Sequence, residues 1–131
     1  MNILRQEIRE CMSTPVEERD GRVLAMFSFP ADFTGFKGHF STGPILPGVC
    51  KIQALMVLSE FLNKTEFVLK KIKEAKFFSP VSVDEEIVFD YSENITDKKE
   101  ATIKAAISCE GRKIAKIKLY GSFVFKEEET L

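Results

Sequence analysis

The sequence predicts an α+β domain in which one antiparallel sheet curls around a single long helix. The central observation is residues 49–62, Val-Cys-Lys-Ile-Gln-Ala-Leu-Met-Val-Leu-Ser-Glu-Phe-Leu, whose only charged side chains are Lys51 and Glu60. A helix that is apolar on nearly all sides has no face to give to water, so other structure must wrap it. The second observation is a series of strand-like runs after it, the simplest material for the wrapping. With 131 residues, 44% hydrophobic and 30% charged, the chain can bury a core without disulfides or a metal. The expectation is one domain over 1–131, with 1–13 and 126–131 peripheral.

The elements follow in order. Ile3, Leu4 and Ile8 among charges form a weak helical pattern suited to capping one end of a sheet. Residues 22–29, Arg-Val-Leu-Ala-Met-Phe-Ser-Phe, are strand formers stopped by Pro30 and read as the first long strand. Between Pro30 and Gly48 the density of glycine and proline makes regular structure improbable. The helix of 49–62 comes next, with Asn63 and Lys64 suiting its C-terminal end. Strands are then expected at 68–78, 86–93, 101–109 and 113–125, the third with Ile103, Ala105, Ile107 and Cys109 on one face. Cys109-Glu110-Gly111-Arg112 reads as a hairpin turn, because Gly111 takes a positive φ at little cost.

Composition also excludes function classes. Nineteen basic against twenty acidic side chains give a net charge of -1, with no global field for gripping nucleic acid. Cys11, Cys50 and Cys109 are odd in number and widely separated, so they read as neither a disulfide framework nor a metal-ligand set, and a reducing cytoplasm fits them. The charged N-terminal residues do not read as a secretory signal, and no apolar run is long enough to span a membrane.

The chemistry-bearing stretch is Gly38-His39-Phe40-Ser41-Thr42-Gly43-Pro44-Ile45-Leu46-Pro47-Gly48-Val49. The only histidine of the chain sits there in a Gly-rich turn, and imidazole is the side chain best suited to move a proton near neutral pH. Pro47-Gly48 precedes the helix, so the amides of Gly48 and Val49 lie at its positive end, where they can donate to a carbonyl gathering negative charge. This stretch resembles the signature of the hot-dog-fold (3R)-hydroxyacyl-acyl-carrier-protein dehydratases. Lys76-Phe77-Phe78-Ser79-Pro80-Val81 is similar to that family's basic-aromatic segment before its long strands. Ser41, Thr42 and Gly43 replace the proline and glycine usual after His-Phe, marking a divergent member.

The resemblance implies a hot-dog fold and dehydration of a β-hydroxyacyl thioester, carried on acyl carrier protein or coenzyme A, in fatty-acid-like biosynthesis without metal or redox cofactor. It gives His39 the role of removing the α-proton and Gly48 that of polarising the thioester carbonyl, with Val49, Phe40 and Pro47 lining the substrate. The family's acid, fourteen residues after the histidine, is replaced by Gln53. An amide bonds a hydroxyl or a water but has no carboxyl proton to give. The resemblance also implies a dimer built through the sheets, or an assembly of dimers, with His39 of one chain facing Gln53 of the other. The alternatives are a silent acyl-binding subunit, paired with an active homologue, and then an acyl thioesterase. Three side expectations accompany this reading. Glu60, two helical turns from Gln53, is a helix-end charge; Lys70, Lys71, Lys73 and Lys76 form a solvated strand face; and a glutamate placed at position 53 would have a raised pKa in an apolar pocket.

Overall fold

The computed structural model describes residues 3–37 and 44–124. The elements are α1 (Ile3–Glu10), β1 (Met12–Arg19), β2 (Arg22–Ser28), a single 3-10 turn (Thr34–Phe36), α2 (Gly48–Asn63), β3 (Glu66–Phe77), β4 (Glu86–Ile95), β5 (Glu100–Cys109) and β6 (Arg112–Val124). The six strands form one antiparallel sheet in the order β1-β2-β4-β5-β6-β3. β2 and β4 to β6 each fall within a few residues of the expected runs, and α2 gains one residue at each end.

The strands present a period-2 apolar face to α2. Ala25 and Phe27 on β2, Ile87, Phe89 and Tyr91 on β4, Ile103, Ala105 and Ile107 on β5, and Ile117 and Leu119 on β6 are all buried. Opposite them α2 buries Cys50, Ala54, Leu55, Met56, Val57, Leu58 and Ser59, which is why this helix needs no polar face. Tyr91 Oη lies 3.0 Å from Ser59 Oγ, so the buried hydroxyls of sheet and helix satisfy each other. Most phenylalanines are core: Phe89, Phe27, Phe29, Phe33 and Phe36 form a chain with successive ring centroids 4.9, 6.0, 4.8 and 5.8 Å apart. Each such ring contributes about 1.5–3 kcal/mol by leaving water.

Two turns share one chemistry. At Asp20-Gly21 and at Glu110-Gly111 both central residues have positive φ, 49° and 77° in the first and 48° and 80° in the second, as a two-residue hairpin of right-handed twist requires. The Asp20-Gly21 turn joins β2 to β1, a strand with no counterpart in the sequence reading. β1 is an edge strand rich in charge, and its register shifts between Ser13 and Glu17, where Pro15 has no N–H to give to a ladder. Residues 3–13, expected at the periphery, form α1 and the start of β1, and Ile8 there is fully buried.

β3 is the other edge, and its partner β6 approaches closely. A Cβ on Gly121 of β6 would lie 2.2 Å from the Val68 carbonyl oxygen, so only glycine permits this spacing. Lys70, Lys71, Lys73 and Lys76 are exposed along β3, as expected of a solvated face. On the same strand Val68 and Ile72 are also exposed.

Candidate active site at the start of the central helix

The backbone brings the two distinctive sequence segments together. Leu46 N donates to Val81 O at 2.8 Å, and Ile45 forms an isolated antiparallel bridge with Ser82. Pro47 (φ -61°, ψ 149°) stands as the extended N-cap of α2, and its carbonyl accepts from Cys50 N at 3.1 Å. The N–H groups of Gly48 and Val49 therefore belong to the first turn of a sixteen-residue helix, where no intrahelical acceptor exists for them and the helix dipole is positive. Gly48 lies against the Phe77 ring so closely that a Cβ would meet Phe77 Cζ at 2.9 Å. His39 and Phe40 lie outside the described residues.

Lys51, one turn into α2, is buried, with 3% of its surface exposed. Its Nζ donates to Leu46 O at 3.4 Å and sits 5.3 Å from the centre of the Phe77 ring. Burial pushes its pKa below the ordinary lysine value. A cation is thus packed beneath the turn that leads into the helix.

Gln53 is half-buried on α2, and its oxygen is engaged by α1. Arg5 Nε donates to Gln53 Oε1 at 3.0 Å, while Arg5 Nη1 reaches Glu60 Oε2 at 3.2 Å. Glu60 Oε2 also accepts from Phe67 N at 2.7 Å. The expectation that Glu60 is merely a helix-end charge is therefore corrected: it is a partly buried carboxylate that holds Arg5 and anchors the start of β3. One guanidinium spans the two helical turns between positions 53 and 60. Arg5 also changes the expectation for a glutamate at 53, since a cation in contact favours the charged carboxylate and would lower its pKa.

Two depressions flank Gln53. A groove of about 1100 Å³ runs between α1, the end of α2 and the start of β3, with Arg9, Phe61 and Lys64 on its walls. A smaller apolar one of about 390 Å³ is lined by Val49, Ile52, Val68, Leu69 and Ile72 beside Gln53. Val49 is 59% exposed on this side. Sequence reasoning missed Arg5, which lies 48 residues from Gln53 along the chain and carries no local mark on its short helix. Among the described residues no group of three or more His, Cys, Asp or Glu side chains is placed to hold a metal, and no helix is long and apolar enough to cross a membrane.

The family model of the ApeI-like proteins, described as ApeI dehydratase, matches residues 15–118, which include α2, the whole of β2 to β5 and parts of β1 and β6. The chain belongs to the ApeI-like dehydratase family. Solved structures agree on the fold. The dehydratase heterocomplex ApeI:P from Xenorhabdus doucetiae superposes with a TM-score of 0.62 at 19% identity, covering 85% of this chain and 93% of that one. A hypothetical thioesterase protein with coenzyme A from Streptococcus pneumoniae gives 0.68 at 11% identity, covering 95% and 97%. An uncharacterized protein from Pyrococcus horikoshii gives 0.67 at 16% identity, covering 89% and 86%. No curated protein matches by sequence. At these identities the structural likeness carries the hot-dog fold, and the ApeI-like family match carries the dehydratase kinship.

Proposed function

We propose that the protein dehydrates a β-hydroxyacyl thioester, linked to acyl carrier protein or coenzyme A, to the trans-2-enoyl thioester in fatty-acid-like biosynthesis. The observation that carries the reading is the ApeI-like match across a helix start whose Gly48 and Val49 amides are available to a thioester oxygen. The Gly48 amide, with Val49 beside it, polarises the carbonyl and acidifies the α-carbon. His39 takes the α-proton, the electron pair forms the α,β double bond, and the β C–O bond breaks. Since an amide holds no transferable carboxyl proton, His39 returns its proton to the departing hydroxide, and water leaves. Gln53 holds the β-oxygen, while Phe40 and Pro47 line the acyl chain. No metal or redox cofactor enters this scheme.

The working unit is a dimer, with His39 of one copy facing Gln53 of the other. The support is the β3 edge, unpaired among the described residues, with exposed Val68 and Ile72 continuing into exposed Val49 of α2 beside Gln53. A second reading is an acyl-binding subunit paired with an active homologue in the cytoplasm. It is favoured by the amide at position 53 and by the heterocomplex that the ApeI:P relative forms.

The test is incubation with β-hydroxyacyl thioesters on both carriers, following enoyl product and free thiol together. Enoyl formation that is lost in His39→Ala is the expected result. Free thiol without enoyl would indicate a thioesterase, and tight binding with neither product would leave the subunit reading.

A further inference from the structure

Gln53 is bonded through its oxygen, and the bond determines what its other end can do. A guanidinium only donates hydrogen bonds, so the atom of Gln53 facing Arg5 Nε at 3.0 Å must be the amide oxygen. The Nε2H₂ group is then directed away from Arg5, as a pure donor. Arg5 is itself held in place: Nη1 lies 3.2 Å from Glu60 Oε2, Nη2 lies 3.7 Å from Met56 Sδ, and Glu60 is tied to the backbone of β3 at Phe67 N. Arg5 and Glu60 side chains are 23% and 21% exposed, so solvent screens this arrangement only partly. A cation bonded to a carbonyl oxygen also draws charge from the amide and strengthens its N–H groups as donors.

The same geometry excludes the alternative residue. A carboxyl at position 53 would stand in contact with Arg5, ionise, and have no proton to give near neutral pH. The other charged groups around the larger groove are Arg9 and Glu10 on α1, Glu60 and Lys64 at the end of α2, and Glu66 on β3. They carry both signs, and among the described residues Arg5 is the side chain hydrogen-bonded to the Gln53 side chain. In the proposed dimer His39 of the second copy faces the position as well, and a protonated imidazole would act in the same direction as Arg5.

We propose that Arg5 is a positioning residue that turns Gln53 into an oriented neutral donor for the β-oxygen of the substrate, and that Arg5 and an acid at position 53 are mutually exclusive. This rests on the dehydratase reading for the identity of the substrate atom, but the chemistry of position 53 does not. Glutamine here is then a working residue matched to α1.

The experiment uses the full chain in Gln53→Glu and in the double variant Arg5→Met/Gln53→Glu. Carboxyl ¹³C titration by NMR follows the one resonance that the substitution adds. With Arg5 present, the carboxyl should titrate below the ordinary glutamate value of about 4.3, and with Arg5→Met its pKa should rise. Titration at or above the ordinary value in Gln53→Glu alone overturns the proposal, and this measurement needs neither turnover nor a folded Arg5→Met chain. In the enoyl assay Gln53→Glu should be no faster than wild type, while the double variant should exceed Gln53→Glu by roughly tenfold or more, the lower part of what a general acid contributes. Arg5→Met alone should lower kcat about tenfold with a smaller change in KM, and Arg5→Lys should restore part of the loss. Wild type that forms no enoyl thioester would remove the dehydratase reading while the titration still decides the role of Arg5.

Discussion

Replacing Lys51 by methionine should stabilise the protein, and the amount can be worked from its surroundings. Lys51 is 3% exposed, and among the described residues its ammonium has one carbonyl, Leu46 O at 3.4 Å, and one ring, Phe77 at 5.3 Å. Desolvating an ion costs several kcal/mol even after relaxation. The hydrogen bond is at the long limit of the useful range and returns about 1 kcal/mol. The cation–π contact returns about 1 kcal/mol, because Phe77 is itself half exposed. Methionine keeps the apolar stem in place and removes the charge.

The balance predicts Lys51→Met to be about 1–3 kcal/mol more stable at pH 7, or roughly 3–5 °C in Tm for each kcal/mol in a domain of this size. The pH dependence follows from the lowered lysine pKa. Between that value and the ordinary 10.5 the unfolded chain holds a proton that the folded chain has released, so stability from this site increases as pH rises. The advantage of Lys51→Met should therefore be largest near neutral pH and shrink toward pH 10.5. Urea unfolding of wild type and variant at several pH values, read as a difference, measures both effects. A variant less stable than wild type by more than about 1 kcal/mol, or an advantage that grows with pH, would refute the balance.

Three further outcomes are expected. His39→Ala should lose about 10²- to 10⁴-fold in enoyl formation with an unchanged circular dichroism spectrum; undiminished turnover would remove His39 from the mechanism. Ile72→Lys should convert a micromolar dimer into monomer by light scattering, because a charge placed at the exposed β3 edge opposes strand pairing; a dimer that persists would place the interface elsewhere. The Cys11 thiol, pushed up to about 11 by burial and then by Glu7, Glu10 and Asp32, should be alkylated slowly at pH 8. Its thiolate fraction there is ~100-fold below that of an ordinary cysteine, and rapid labelling of Cys11 in peptide mapping would contradict the burial.

What the sequence determined by itself was everything that repeats along the chain or closes within a few residues. The alternation of Ile103, Ala105 and Ile107 named the buried face of β5, because a strand turns its side chains over every second residue. The unbroken apolar surface of 49–62 demanded a wrapped helix, and Glu110-Gly111 formed the hairpin that glycine permits. Pro47-Gly48 marked where α2 begins and so where its amides lie.

The tertiary structure decided what depends on distant pairing. β1 has a proline and scattered charges where a strand signal would stand, and only the ladder from Met12–Phe27 to Arg19–Arg22 makes it a strand. Glu60 looks like a helix-end charge until Arg5 and Phe67 N converge on it. Gln53 looks like a lost acid until α1 folds back and places a guanidinium on its oxygen. Arg5 contacts residues 48 and 55 positions away. Local propensity has no access to such separations, since they exist only once the hydrophobic burial of α1 against α2 has brought the two helices together.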